Sequence, residues 1–214
     1  MSEPSGRLVL ILASANKDKA REMKEILSSE LAFLVELRDR PLKLPEVEET
    51  GETLEENARL KAAAIKDATG FGAIADDTGL EVLALGGRPG VHTARFAGPA
   101  GRADDNIALL LAQLADSTDR RARFHTIALA AMPDGTELVA AGMLEGTIAR
   151  RPRGSGGFGY DPVFVPDDAG GRTLAEMDSQ QKHAISHRGR ALRALARQLR
   201  TFISSDLRPT LDSP

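Results

Sequence analysis
The sequence predicts an α/β protein built on a mixed sheet, and three observations carry the prediction. Branched apolar runs of strand length alternate with segments whose apolar residues recur at helical spacing. Two β-rich segments flank Pro133-Asp134-Gly135, a hairpin signal that requires an antiparallel pair in a sheet whose other strands are separated by helices. The composition, 42% hydrophobic and 28% charged, is that of a folded chain rather than a disordered one. A chain of 214 residues can bury a sizeable core. One domain over residues 1–205 is expected, with a frayed tail at 206–214.

The elements follow in order. Residues 8–13 form an uninterrupted apolar run, which suits a strand buried on both faces. The run stops at Ser14-Ala15-Asn16, and from 17 to 28 Ala20, Met23 and Leu27 recur at helical spacing among charged residues. Residues 33–37 read as a short strand. Thr53 and Glu56 form a capping-box pattern ahead of a helix whose apolar face is Leu54, Ala58, Leu60, Ala62 and Ile65, with Gly70 placed to stop it. A short strand over 73–75 is expected to deliver Asp76-Asp77-Thr78-Gly79 at its end, ahead of a loop over 86–98. A helix over 103–115, the hairpin strands 122–132 and 137–150, a glycine-rich loop over 154–161, a strand over 162–165 and a helical region to about Phe202 complete the pass.

Composition narrows the function. The chain has no cysteine, so disulfides and thiolate metal sites are excluded, and the cytoplasm is the expected compartment. Arg7, the apolar run and Ala13-Ser14-Ala15 imitate a signal peptide, but the run is too short for one. No stretch approaches the ~18 apolar residues of a membrane span. The net charge of −3 gives no field that would attract a polyanion, so phosphate chemistry must rest on locally placed cations. One local excess exists: Lys182, Arg188, Arg190, Arg193, Arg197 and Arg200 occur between Ser179 and Ser204 without an acid, which reads as a basic patch. A nucleic-acid-binding module is the reading of a different class that this patch allows, and it predicts affinity falling steeply with salt.

Several groups of residues can carry chemistry. Ser14 to Lys19 (Ser14, Ala15, Asn16, Lys17, Asp18, Lys19) lie where a strand turns into a helix, so N–H groups, the helix dipole and two lysines can face an anion. Read alone, the same segment is an ordinary N-cap. Glu48 and the Asp76-Asp77 pair suit Mg²⁺, which takes one or two carboxylates and fills its shell with phosphate oxygens and water. Neighbouring strand residues point to opposite faces, so only one Asp is expected at the centre. Gly154-Ser155-Gly156-Gly157-Phe158-Gly159 matches GxGxxG, yet a strand pattern follows instead of a helix, and a dinucleotide-binding turn is ruled out. That loop offers Phe158 and Tyr160 as stacking surfaces and Asp161 as an acceptor. Ser186-His187-Arg188-Gly189, near Lys182, places an imidazole beside two cations, and His125 reads as a structural histidine.

Taken together, Ser14-x-Asn16-x-x-Lys19, Glu48-Glu49-Thr50-Gly51, Asp76-Asp77-Thr78-Gly79-Leu80, Phe158-Gly159-Tyr160-Asp161-Pro162 and Ser186-His187-Arg188-Gly189 resemble the inosine/xanthosine triphosphate pyrophosphatase family in order and separation, across residues 7–200. Two positions depart: Ala15 stands where that family often has Gly, and Thr78 where Ser is frequent. The resemblance implies an elongated mixed sheet with flanking helices, two lobes around a central cleft, a homodimer, and hydrolysis of ITP, dITP and XTP to monophosphate and pyrophosphate. It also implies Asp77 as proton acceptor and metal ligand, Glu48 as the second metal carboxylate, and Mg²⁺ as the cofactor. Ser14 to Lys19, Thr78 and Lys182 are implied as phosphate and substrate contacts, and Phe158, Gly159, Tyr160, Asp161, His187 and Arg188 as the group that reads the base. No membrane and no stable nucleic-acid partner are expected. A related pyrophosphatase acting on modified pyrimidine nucleotides is the alternative within enzymes.

Overall fold
The computed structural model describes residues 7–206, and the frayed tail expected past Asp206 lies outside them. Seven strands form one sheet: β1 (Leu8–Leu12), β2 (Val35–Asp39), β3 (Gly72–Val82), β4 (Pro89–Gly90), β5 (Arg121–Ala131), β6 (Glu137–Ile148) and β7 (Phe164–Pro166). The helices are α1 (Lys17–Leu31), α2 (Leu54–Thr69), α3 (Ala103–Gln113), α4 (Ser179–Ile185) and α5 (His187–Asp206). The strand order is β2-β1-β3-β5-β6-β7, with β4 paired to β3. β1 lies parallel to β2 and β3, because the chain reaches each of them through a helix. β5, β6 and β7 continue the sheet in antiparallel fashion, so the sheet is mixed.

Side-chain alternation along β1 explains the layers. Leu10 and Leu12 point into a core built with α1 and α5, while Ile11 and Ala13 point to the other face, into a core built with α2. A third core gathers Leu80, Val82, Phe124, Leu144 and Phe164 with Ile107 and Leu110 of α3. β3, β5 and β6, of 11, 11 and 12 residues, pass through both halves, so their middles form the waist between two lobes. Among the described residues no helix is long and apolar enough to cross a membrane.

The local signals act as expected at α2. Thr53 Oγ1 accepts from the Glu56 N–H at 3.1 Å, and Glu56 Oε2 accepts from the Thr53 N–H at 3.0 Å. Gly70 ends the helix in the left-handed region at φ 72°, where a side chain would be strained. Among the differences from expectation, which include β4 inside the expected loop over 86–98, two bear on the site. β3 does not stop before the acidic pair: β5 pairs with it in unbroken register from Ala73↔Ala131 to Val82↔Ala122, which carries Asp76 and Asp77 to the middle of a strand. The C-terminal helical region is two helices, broken where Ser186 turns extended at ψ 152°. That break sets His187 and Arg188 in the first turn of α5, facing the waist.

Candidate active site
On one face of β3, a buried ionic network surrounds Asp76. Arg188 donates from Nε to Asp76 Oδ2 at 3.0 Å, from Nη1 to Glu22 Oε2 at 2.6 Å and from Nη2 to Thr78 Oγ1 at 3.3 Å. Lys182 donates to Glu22 Oε1 at 2.5 Å and to Asp161 Oδ2 at 2.6 Å. Lys19 stands 3.8 Å from Asp76 Oδ2. Three cations therefore face three carboxylates, which is how so many charges are tolerated away from water. Burial pushes the Asp76 carboxyl up, but Lys19, Arg188 and Lys61 more than offset this and hold it well below the usual carboxylate range. Asp76 Oδ1 is buried without a hydrogen-bond partner, an acceptor left open at the waist.

An aromatic cavity adjoins this network, lined among others by Lys19, Phe124, Phe158, Tyr160, His187 and Arg188. The loop from β6 to β7 supplies Phe158, whose N–H donates to Asp161 Oδ2 at 2.8 Å and whose ring lies 4.5 Å from Lys182 Nζ and 5.3 Å from the Arg188 guanidinium. Gly157, at φ 68°, lets that loop turn over Asp161, because a Cβ there would overlap the carboxylate. Tyr160 anchors the loop by donating to the Thr93 carbonyl at 3.0 Å. His187 stacks on Phe124 with ring centres 4.4 Å apart, and its Nδ1 is 2.6 Å from Thr126 Oγ1. Burial, with Arg188 and Lys182 adding to it, pushes the imidazole well below the ordinary histidine value, so it is neutral at neutral pH.

On the opposite face Asp77 meets α2. Lys61 Nζ lies 2.7 Å from Asp77 Oδ1 and 3.0 Å from Glu49 Oε1, so the lysine sits between the two carboxylates. Burial pushes the Asp77 carboxyl up, with Lys61 and Lys19 partly offsetting it. A second cavity on this side is lined by Ser14, Ala15, Asn16, Lys19, Glu49 and Lys61 together with the residues flanking them. Arg95 reaches across it, donating to the Glu49 carbonyl at 3.1 Å. The two cavities share Asn16, Lys19 and Ala94. The start of α1 thus joins an aromatic compartment to a charged one.

The expected residues divide accordingly. Asn16, Asp18, Lys19, Thr78, Phe158, Gly159, Tyr160, Asp161, His187 and Arg188 line the aromatic cavity, and Lys182 lies buried beneath Phe158. Ser14 and Ala15 line the charged cavity, whereas Lys17 is exposed over a separate groove. Asn16 caps α1, its Oδ1 accepting from the N–H groups of Asp18 at 2.9 Å and Lys19 at 3.1 Å, so those two donors are occupied. Glu48 lines the same cavity with an exposed side chain, and it is Glu49 that Lys61 joins to Asp77. As neighbouring strand residues, the two aspartates point to opposite faces, and both are buried, Asp76 beside Arg188 and Asp77 beside Lys61.

Glu22, Glu49, Lys61 and Thr126 were not legible as site residues. Glu22 follows Lys19 by three positions beside Met23 on the inward stripe of α1, and Lys61 follows Asn57 by four beside Ala58 and Ala62; a charge next to a buried stripe is the signal they give. The basic segment is drawn partly inward, with Arg190, Arg197 and Arg200 left exposed. Lys182 and Arg188 are buried in the network, Arg190 donates to the Met143 carbonyl at 2.8 Å, Arg193 to the His183 and Ala184 carbonyls at 2.8 Å each, and Arg200 pairs with Glu30.

Comparison with known proteins follows the same residues. The sequence model of the Ham1 family matches residues 10–198. A dITP/XTP pyrophosphatase of Streptomyces coelicolor is 47% identical over 197 residues, covering 91% of this chain and 98% of that protein. One from Mycolicibacterium paratuberculosis is 50% identical, covering 90% and 96%. The structure of the Staphylococcus aureus Ham1 protein superposes with a TM-score of 0.79 at 38% identity, and that of a HAM1 protein from Coxiella burnetii with 0.80 at 41%, each covering 91% of this chain and 99% of the other. The match runs from β1 into the last turns of α5 and takes in both cavities, and this chain belongs to the Ham1 family.

Proposed function
We propose that this protein hydrolyses non-standard purine nucleoside triphosphates, ITP, dITP and XTP, to the monophosphate and pyrophosphate. The observation that carries the reading is the pair Asp76-Asp77, buried on opposite faces of one strand and ion-paired to cavity-lining cations, Asp76 to Lys19 and Arg188 and Asp77 to Lys61. An aromatic cavity with buried donors suits a base; a charged cavity at a helix start suits a polyphosphate. The names of the relatives from Streptomyces and Mycolicibacterium, dITP/XTP pyrophosphatases, support dITP and XTP as substrates.

Asp77 is the proton acceptor in this reading. A free aspartate is a weak base near neutral pH, and the burial that raises the Asp77 carboxyl improves it. It takes a proton from the water that attacks the α-phosphorus, opposite the departing pyrophosphate. Lys19 and Lys61 stabilise charge on the phosphates. Magnesium fits the donors present: Lys61 Nζ already marks a cation position between Asp77 and Glu49. Mg²⁺ takes one or two carboxylates and shares the rest of its shell with phosphates and water. Asp77 and Glu49 would hold it, Glu49 taking the place expected of Glu48. When bound, Mg²⁺ acidifies a coordinated water and offsets phosphate charge.

Base choice falls to Phe158, His187 and Arg188. Hypoxanthine and xanthine carry a 6-oxo acceptor where adenine has a 6-amino donor, so buried donors aimed there leave adenine unpaired. Arg188 uses three of its five N–H groups inside the network. Its guanidinium also lines the aromatic cavity, over the Phe158 ring. The reading includes a homodimer acting on the cytoplasmic nucleotide pool, which sedimentation equilibrium would test for assembly.

A panel of ITP, dITP, XTP, GTP, ATP and UTP, incubated with and without Mg²⁺, tests the reading. Pyrophosphate and monophosphate from ITP, dITP and XTP, with ATP spared and no turnover in chelator, are expected. Orthophosphate as product, or ATP used equally well, contradicts it, and a preference for UTP-like substrates would favour the pyrimidine alternative.

A further inference from the structure
We infer that Thr126, through a directed chain of hydroxyl hydrogen bonds, fixes the tautomer of His187 so that its proton sits on Nε2 and faces the base cavity as a donor. The inference deepens the base-reading role proposed above and rests on it only for its functional consequence.

The geometry is set by strand register. Thr126 of β5 lies directly opposite Thr78 of β3, and cross-strand threonines of this kind bring their hydroxyls together. Their Oγ1 atoms are 2.7 Å apart. Thr126 is wholly buried, and its Oγ1 also lies 2.6 Å from His187 Nδ1. His187 is held in place by its stack on Phe124 at 4.4 Å and by the start of α5. The hydroxyl of Thr126 therefore bridges one fixed hydroxyl and one fixed imidazole nitrogen.

The direction of the chain follows from its far end. Arg188 Nη2 lies 3.3 Å from Thr78 Oγ1, and a guanidinium only donates. Thr78 must then place its own proton elsewhere, on Thr126 at 2.7 Å or on Asp76 Oδ2 at 3.3 Å. The Thr126 contact is of ordinary hydroxyl length, whereas the Asp76 contact, like that of Arg188 with the same hydroxyl, is long at 3.3 Å, and the Thr78 proton is assigned to the shorter one. Thr78 therefore donates to Thr126, and Thr126 donates to His187 Nδ1. A neutral imidazole whose Nδ1 accepts carries its proton on Nε2. His187 lines the aromatic cavity, and with Nδ1 engaged, Nε2 is the nitrogen left for a ligand. An N–H donor there complements a 6-oxo purine and meets a 6-amino purine donor to donor. The opposite tautomer would present an acceptor and invert the preference.

The test is nitrogen NMR of the intact protein labelled at histidine, at neutral pH, with the His187 signals assigned by their loss in His187→Gln. Wild-type protein is expected to show a protonated Nε2 and a bare Nδ1. Thr126→Val, which keeps the shape and removes the hydroxyl, is expected to shift His187 toward the Nδ1-protonated form and to lower the kcat/KM preference for ITP over ATP about tenfold, the worth of one hydrogen bond. Thr126→Ser should restore both. A protonated Nδ1 in the wild type overturns the inference without any mutant, and so does a loss of preference in Thr126→Val with an unchanged tautomer. A tautomer that moves as expected while the preference stays fixed upholds the relay and removes His187 from base reading, so the two failures are separable.

Discussion
Asp77 and His187 are each governed by burial, with opposite consequences. Burial raises the Asp77 carboxyl, making it a better proton acceptor, so Asp77→Asn should lower turnover of ITP by ~10²–10⁴ with the thermal transition retained; a folded variant with near-normal turnover would remove Asp77 from the mechanism. Burial lowers His187. Above the ordinary histidine value near ~6.5, folded and unfolded states are both neutral at this residue, and nothing is lost. As pH falls below it, the unfolded chain takes up a proton that the folded one refuses, so stability declines toward the depressed folded value. The slope approaches ~1.4 kcal/mol per pH unit. Urea titrations from pH 7.5 to 5 should show this slope in wild-type protein and a shallower one in His187→Gln; equal slopes would mean that His187 is not held neutral. These roles were only partly legible in the sequence. Asp77, His187 and Arg188 stand in recognisable motifs, but Glu49 is distinguished from Glu48, and Thr126 from any strand threonine, only by the three-dimensional partner each one meets.

Elements deliver these residues where glycine permits close approach. A Cβ at Gly142 of β6 would overlap the His187 carbonyl oxygen and crowd the Ala191 N–H, so the start of α5 lies directly on the strand. Gly142→Ala should displace that turn, costing roughly 1–3 kcal/mol as overpacked sites do, and should raise the KM for ITP because His187 and Arg188 move with it. An unchanged KM would show that the first turn of α5 is not what positions the base. α1, α2 and the β5-β6 hairpin were legible because their caps, apolar stripes and turn residues act locally. β3 was read too short, since Asp76 and Asp77 interrupt the apolar pattern and only the long-range register with β5 carries the strand through them. The break at Ser186 was likewise hidden, because it rests on one residue in extended conformation between two segments of helical composition.

At the scale of the molecule, three long strands cross from one lobe to the other, and polar residues at the middle of β3 and β5, Asp76, Asp77, Thr78 and Thr126, contact the side chains that line the two cavities. The mixed sheet was legible from the alternation of strand and helix and from one hairpin signal. The joining of an aromatic and a charged compartment was not, because it depends on α1 and α5 meeting through Glu22, residues 166 positions apart. The central claim is that water attacks the α-phosphorus at this junction, beside Asp77. Hydrolysis of ITP in ¹⁸O-labelled water, with mass analysis of both products, tests it most directly. One labelled oxygen in the inosine monophosphate and none in the pyrophosphate is the expected result; label in the pyrophosphate, or release of labelled orthophosphate, would place the attack at another phosphorus and contradict it.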